Sequence, residues 1–340
     1  MIFILTWMAG FSAPGQLTTT LPLVVFETPG GMPIPDEPKI TAHMKIIDHG
    51  PPRTNQESDS GNVYDGRVGI EIRGVYSDSL PQKPYGFETR DSTGENLNVS
   101  LLGMPAENDW ILLANYNDKS FLRNALAGYI FRKMGHYAPR TCHVEVVVNG
   151  SCEGIYVLTE KIKRDRNRVD IARLDPDQNS RDEVTGGYIF KNDYYSDSDS
   201  WISAYPPFTR PDKSVFFVYY YPDPDDITEP QKQYLQEYVN AFEKVLHGEG
   251  FTDPQTGYPA YIDVVSFRDY FILSEVTRNV DAYKKSRYFF KDRESNGGKI
   301  HSGYPGGGCT WRFGSPADRR SPTGHLPVAY IFHGRPADLT

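Results

Sequence analysis

Residues 142–158 read CHVEVVVNGSCEGIYVL. A valine-rich run enters Asn149-Gly150, the dipeptide that accepts the two left-handed positions of a tight hairpin turn, and a second apolar run leaves it. The stretch predicts two antiparallel strands. In that register Cys152 faces Val147 and Cys142 lies about five residues further along, roughly 17 Å at strand rise, so these cysteines are not expected to bridge. Three cysteines in all make no disulfide framework, and no Cys/His spacing has the form of a zinc site.

On the N-terminal side of this hairpin the signals are those of strands. LPLVVFE (21–27), KITAHMKIID (39–48), RVGIEIRG (67–74) and PYGFETRD (84–91) are short apolar or alternating runs between Gly, Pro and Asn. Residues 117–134 then change to a helical period. Phe121, Leu122, Ala125, Leu126, Tyr129, Ile130 and Met134 fall on one stripe, with Gly135 at the C-terminal cap position.

Beyond the hairpin come a basic stretch, EKIKRDRNRVDIARL (160–174), and an acidic, hydroxyl-rich loop over 175–200. Residues 229–246 give the clearest helical signal. Pro230 starts it, Tyr234, Leu235, Tyr238, Val239, Phe242, Val245 and Leu246 form its stripe, and Gly248 ends it. Asp263 can cap a further helix over VVSFRDYFILSEVTRN, ahead of an aromatic strand SRYFFKD. Strands with one helix, a hairpin, then helices with short strands imply an α+β protein in two parts.

Composition narrows function. With 44 acidic against 36 basic residues the chain carries a formal charge of −8, so no global footprint for nucleic acid or an anionic membrane is expected. The opening MIFILTWMAGFSAPGQ is too short to span a bilayer and has the form of a secretory signal's apolar core, which implies an exported chain; a buried first strand is the other reading. No other segment could cross a membrane. The sequence lacks GxxxxGK[ST], GxSxG, HExxH and a post-strand GxGxxG. DSDSWISAYPPF (197–208) lacks the Gly and Glu of a calcium loop, so it reads as a solvated acidic loop. Asn98-Val-Ser100 and Asn149-Gly-Ser151 are N-glycosylation sequons. The many tyrosines and the acidity also allow a carbohydrate-active reading, although no pair of carboxylates stands out.

Five longer strings are more specific. GIEIRGVYSDSLPQKPYGFETRD (69–91), NVSLLGMPAENDWILLANYNDKSFLRNALA (98–127), GIYVLTEKIKRDRNRVDIARL (154–174), TGGYIFKND (185–193) and DVVSFRDYFILSEVTRNVDAYKKSRYFFKDR (263–293) follow in order. Together they resemble the spore coat protein CotH-like kinase family, over about Leu21 to Ile300. The resemblance implies a two-lobed atypical protein-kinase-like fold, ATP with Mg or Mn, Ser/Thr acceptors on coat or secreted proteins, and a secreted or cell- or spore-surface location. The chain is thus expected to divide into a signal-like segment over 1–20, a strand-rich lobe with one helix over 21–165, a helical but incomplete second lobe over 166–300, and an atypical tail over 301–340.

Phosphoryl transfer needs cations on the phosphates, a fixed metal and a carboxylate near the acceptor hydroxyl. The family's pattern places Asp281 as the acceptor-orienting base, with Asn279 beside it and Lys285 at a neighbouring cofactor position. Lys83, matching a family lysine on a strand, would reach a phosphate, although Pro84 removes an N–H and suggests an edge strand. Arg73-Gly74 could present further donors to phosphate, and Arg123-Asn124 matches the family's RN pair. Glu160 is the candidate nucleotide-lining acid, against a surface glutamate paired with Lys161 or Lys163. Lys83 and Asp281 are expected to meet in one cleft.

After GGKIH (297–301) the family continues GPVWDFN or GPVWDFD, whose aspartate holds the metal, whereas this chain reads SGYPGGGCTWRFGSPADRR (302–320). From His301 on there is no Lys, no Glu and no periodic apolar face. A packed role is therefore not expected for 301–340, and a frameshifted or wrongly joined gene end is one explanation. A catalytically inactive relative acting as a coat or surface binding protein is the other. Weak nucleotide binding and slow transfer are expected either way.

Overall fold

A computed structural model describes residues 17–74, 80–207, 211–279, 281–283 and 285–304. The fold is α+β and divides into two compact units, Met1–Ala114 with His143–Leu158, and Asn115–Cys142 with Thr159–Thr340.

The strands of the first unit are β1 (Thr18–Thr19), β2 (Leu23–Glu27), β3 (Ile40–Ile47), β4 (Asn55–Gln56), β5 (Tyr64–Ile72), β6 (Tyr85–Arg90), β7 (Asp109–Ala114), β8 (Thr141–Val148) and β9 (Ser151–Glu160). β1 pairs with β4, and the others close a barrel in the order β2-β3-β5-β6-β7-β9-β8, in which β2 runs parallel to β8. β2 is a near-continuous apolar run because both of its faces are covered. Phe26 meets Phe87 edge-on at 5.8 Å on one face, and Leu23 and Val25 pack with Ile47 and Val147 on the other. The β8–β9 turn has Asn149 at φ 50 and Gly150 at φ 76, as the Asn-Gly pair predicts. Cys142 and Cys152 do not bridge each other.

The second unit holds α1 (Arg123–Lys133), β10 (Tyr188–Asn192), β11 (Ser200–Ile202), β12 (Phe216–Tyr221), α2 (Glu229–Leu246), α3 (Val264–Thr277), β13 (Arg287–Lys291) and β14 (Ile300–Ser302). Its sheet is antiparallel in the order β11-β12-β10-β13-β14. α2 has the expected bounds, with a capping box between Thr228 and Gln231 and Pro230 in its first turn. Leu235, Val239, Phe242 and Leu246 pack onto Tyr188, Phe190 and Phe289 of the sheet. Asp263 caps α3, its Oδ1 accepting from the Ser266 N–H at 2.7 Å.

Four expectations need correction. The first helix starts at Arg123, not Asn117, because Asp118 accepts the Ser120 and Arg123 N–H groups and Phe121 takes φ 56. Its buried face is Ala127, Gly128 and Phe131, while Leu122, Leu126 and Tyr129 are exposed. Ala127 and Phe131 pack with Tyr270, Leu273, Ala282 and Tyr304, so this helix belongs to the second unit and not to the strand-rich part. Lastly, residues 301–304 have a packed role: β14 pairs with β13, His301 stacks on Phe290 at 5.0 Å, and Tyr304 is buried against Phe131. The aromatic side chains supply the apolar area that the local Gly/Pro content hides. Residues 305–340, and the signal-like segment through residue 16, lie outside the described residues.

Candidate active site

The 279–285 loop begins where α3 ends. Arg278 takes a left-handed conformation at φ 50, the Thr277 hydroxyl donates to the Leu273 carbonyl at 2.6 Å, and the Asn279 N–H donates to the Ser274 carbonyl. Asn279 is buried, and its Oδ1 accepts the Asp281 N–H at 3.2 Å. The next residues are tied back to α3. Tyr270 Oη donates to the Ala282 carbonyl at 2.5 Å, and Tyr283 Oη donates to Glu275 Oε1 at 2.9 Å.

This leaves the Asp281 side chain 15% exposed. Lys285 Nζ stands 3.5 Å from Asp281 Oδ1, donates to Tyr194 Oη at 3.1 Å and lies 5.3 Å from the centre of that ring. Burial works against the Lys285 charge, but the Tyr194 hydrogen bond and the Asp281 carboxylate outweigh it and raise its pKa. Beneath the loop, Arg287 is buried among Tyr270, Phe289 and Phe267, its guanidinium 4.6, 4.6 and 5.2 Å from the ring centres. No described carboxylate pairs with it, its Nε has no hydrogen-bond partner, and desolvation lowers its pKa. Sequence reasoning missed Arg287, since its buried position depends on α3 packing over β13.

Glu160 ends β9 and is 1% exposed. Its carboxylate accepts the Arg140 N–H at 2.8 Å and Arg140 Nη1 at 2.6 Å, with Arg168 Nε at 4.0 Å. The surface pairing with Lys161 or Lys163 is thereby replaced by an inward one. Tyr137, whose hydroxyl is buried beside this pair, has its pKa pushed up by burial and then by the Glu160 charge.

At the start of α1, Arg123 Nε pairs with Asp118 Oδ1 at 3.3 Å, and Asn124 Nδ2 donates to Asn115 Oδ1 at 3.3 Å. Asp118 was not singled out in the sequence, although an aspartate two residues before Ser120 in a turn is a recognisable signal. It is 8% exposed and collects the Ser120 and Arg123 N–H groups and the Ser120 hydroxyl. Asp118→Ala is expected to cost about 1–2 kcal/mol, read as a lower midpoint in chemical denaturation.

In the first unit, Lys83 stands before β6 and not on it. Its carbonyl accepts Tyr156 Oη at 2.9 Å, and the Pro84 carbonyl accepts the Arg73 N–H at 3.0 Å. β6 is an inner strand between β5 and β7, so the edge-strand expectation fails. Pro84 is tolerated because it precedes the ladder, where no N–H is required. Arg73 Nη1 is buried without a hydrogen-bond partner among the described residues. Lys83 and Arg73 thus belong to the first unit, and Arg123, Glu160, Asn279, Asp281 and Lys285 to the second.

All seven positions fall inside the match to a family model described as CotH kinase protein, which covers residues 70–301. The chain belongs to this family. No curated protein matches it. The CotH match ends at His301, where the sequence leaves the family's expected GPVWDF continuation. Among the described residues of this CotH chain, no three His, Cys, Asp or Glu side chains are grouped to hold a metal ion. No helix among them is long and apolar enough to cross a membrane.

Proposed function

We propose that this CotH-family chain is a two-lobed, kinase-like phosphotransferase that moves the terminal phosphoryl group of ATP to Ser or Thr of coat or secreted proteins, at a secreted or surface location. The observation that carries this reading is the fixing of Asp281: Asn279 holds its N–H, and Tyr270 holds the carbonyl of the next residue. A carboxylate held in place can orient an acceptor hydroxyl and take its proton, and positioning of this kind supplies much of the rate in phosphoryl transfer. ATP, when bound, supplies the phosphoryl group. Lys285, 3.5 Å from Asp281, is the proposed phosphate-facing cation of this site; in the first unit Arg73, whose buried Nη1 has no hydrogen-bond partner among the described residues, and Lys83 are proposed cofactor-binding residues. Arg123 and Glu160 support this arrangement from their ion pairs with Asp118 and Arg140. No three His, Cys, Asp or Glu side chains among the described residues are grouped to hold Mg or Mn.

The test is labelled ATP with Mg or Mn and a Ser-rich acceptor, using the chain as it stands and a version carrying the family's WDFN segment after His301. Slow transfer is expected from the first and faster transfer from the second. Asp281→Asn should lower both by about a hundredfold. Transfer insensitive to Asp281→Asn would overturn the assignment of the base. No transfer by either chain would favour the other reading, an inactive binding or structural protein of the same family.

A further inference from the structure

The two sequons are used differently by the fold. Asn149 occupies the first turn position of the β8–β9 hairpin at φ 50. Its Oδ1 accepts the Thr28 N–H at 2.9 Å, and its Nδ2 donates to Thr28 Oγ1 at 2.9 Å and to the Met32 carbonyl at 3.4 Å. The amide therefore ties the hairpin to the segment after β2. A sugar on Nδ2 would stand where Thr28 and Met32 now lie.

Asn98 has the opposite setting. Both asparagines are exposed, but the Asn98 side chain makes no hydrogen bond to any described residue. The backbone around it is held. Arg90–Asn96 and Val99–Glu107 form antiparallel bridges on either side, and Leu97 exchanges hydrogen bonds with Thr89, through its N–H at 2.9 Å and its carbonyl at 2.6 Å. Ser100, the third sequon residue, donates its hydroxyl to the Met104 carbonyl at 2.6 Å. A substituent on Asn98 would project into solvent and displace no contact.

We propose that Asn98 is an acceptor site for N-linked oligosaccharide, and that the folded chain carries none at Asn149. In this transfer Asn98 Nδ2 forms a bond to the anomeric carbon of a lipid-pyrophosphate-linked oligosaccharide. The bond from that carbon to the pyrophosphate oxygen breaks, the lipid pyrophosphate leaves with the electron pair, and Nδ2 releases one proton. Nothing is oxidised or reduced. A chain modified at Asn149 before folding would lose the Thr28 and Met32 contacts and so would be depleted from the folded population. The inference is independent of phosphoryl transfer, because neither asparagine belongs to that site.

The experiment is secretion of the full chain behind a cleavable leader from a eukaryotic host, followed by intact mass with and without peptide N-glycosidase. Wild type should carry one glycan, Asn149→Gln one and Asn98→Gln none. Unglycosylated Asn98→Gln should melt where unglycosylated wild type does, whereas Asn149→Gln should melt lower by about 3 °C or more. Secreted wild type without a glycan, or a glycan that survives in Asn98→Gln, would overturn the proposal.

Discussion

Replacing Glu160 with alanine is expected to destabilise the second unit by about 3–5 kcal/mol. The wild-type carboxylate is fully enclosed and faces two guanidinium groups, Arg140 at 2.6 Å and Arg168 at 4.0 Å. These two respond differently to its loss. The Arg140 side chain is 37% exposed and can be rehydrated, but that of Arg168 is 1% exposed and would keep its charge after the Glu160 carboxylate has gone. Glu160→Gln should cost less, since its amide oxygen can still accept the Arg140 N–H. Urea denaturation of the three proteins checks this order, and a loss below about 1 kcal/mol in the alanine variant would show that the cluster opens to water. ATP binding by Glu160→Gln, measured well below its melting temperature, separates a structural role from the nucleotide-lining one. An unchanged affinity would leave Glu160 with the structural role alone.

The second large effect lies in the pH dependence of stability and concerns Glu243 on α2. Its Oε1 accepts the Ser203 hydroxyl at 2.5 Å, and its buried Oε2 has no hydrogen-bond partner among the described residues. Burial raises its pKa from 4.5 to about 7, against the opposing hydrogen bonds from Ser203 and the Ala204 N–H. The folded chain therefore retains a proton that the unfolded chain has released between pH 4.5 and about 7. Stability should fall as pH rises through that window, by a total of about 3 kcal/mol, and then level off. Glu243→Gln removes the ionisation. It should equal wild type near pH 4.5 and exceed it by up to about 3 kcal/mol at pH 8. Denaturant midpoints across this range test the expectation. A variant no more stable than wild type at pH 8 would show that the carboxylate is hydrated in the folded state.

Several features of this protein were legible residue by residue. α2 is bounded by Thr228, Pro230 and Gln231 at one end and spaced by its buried Leu235, Val239, Phe242 and Leu246, so its start and its core face are both written within one local stretch. Asp263 before α3 and Asn149-Gly150 in the hairpin act through their own backbone neighbours. Family membership was legible for a related reason, since five ordered strings were present in the chain before any of them was folded. Tertiary packing decided the rest. α1 carries apolar residues on more than one side, and the position of Tyr270 and Leu273 selected Ala127 and Phe131 for burial over Leu122, Leu126 and Tyr129. Glu160 has lysines one and three residues away, yet pairs with Arg140 twenty residues back in the chain. Arg287 reads as an ordinary strand arginine until α3 lays Phe267 and Tyr270 over it. Caps and turns are satisfied by atoms within a few residues, so composition and spacing specify them. The covered face of a helix and the partner of a buried charge depend on which distant segment arrives, and only the three-dimensional arrangement contains that.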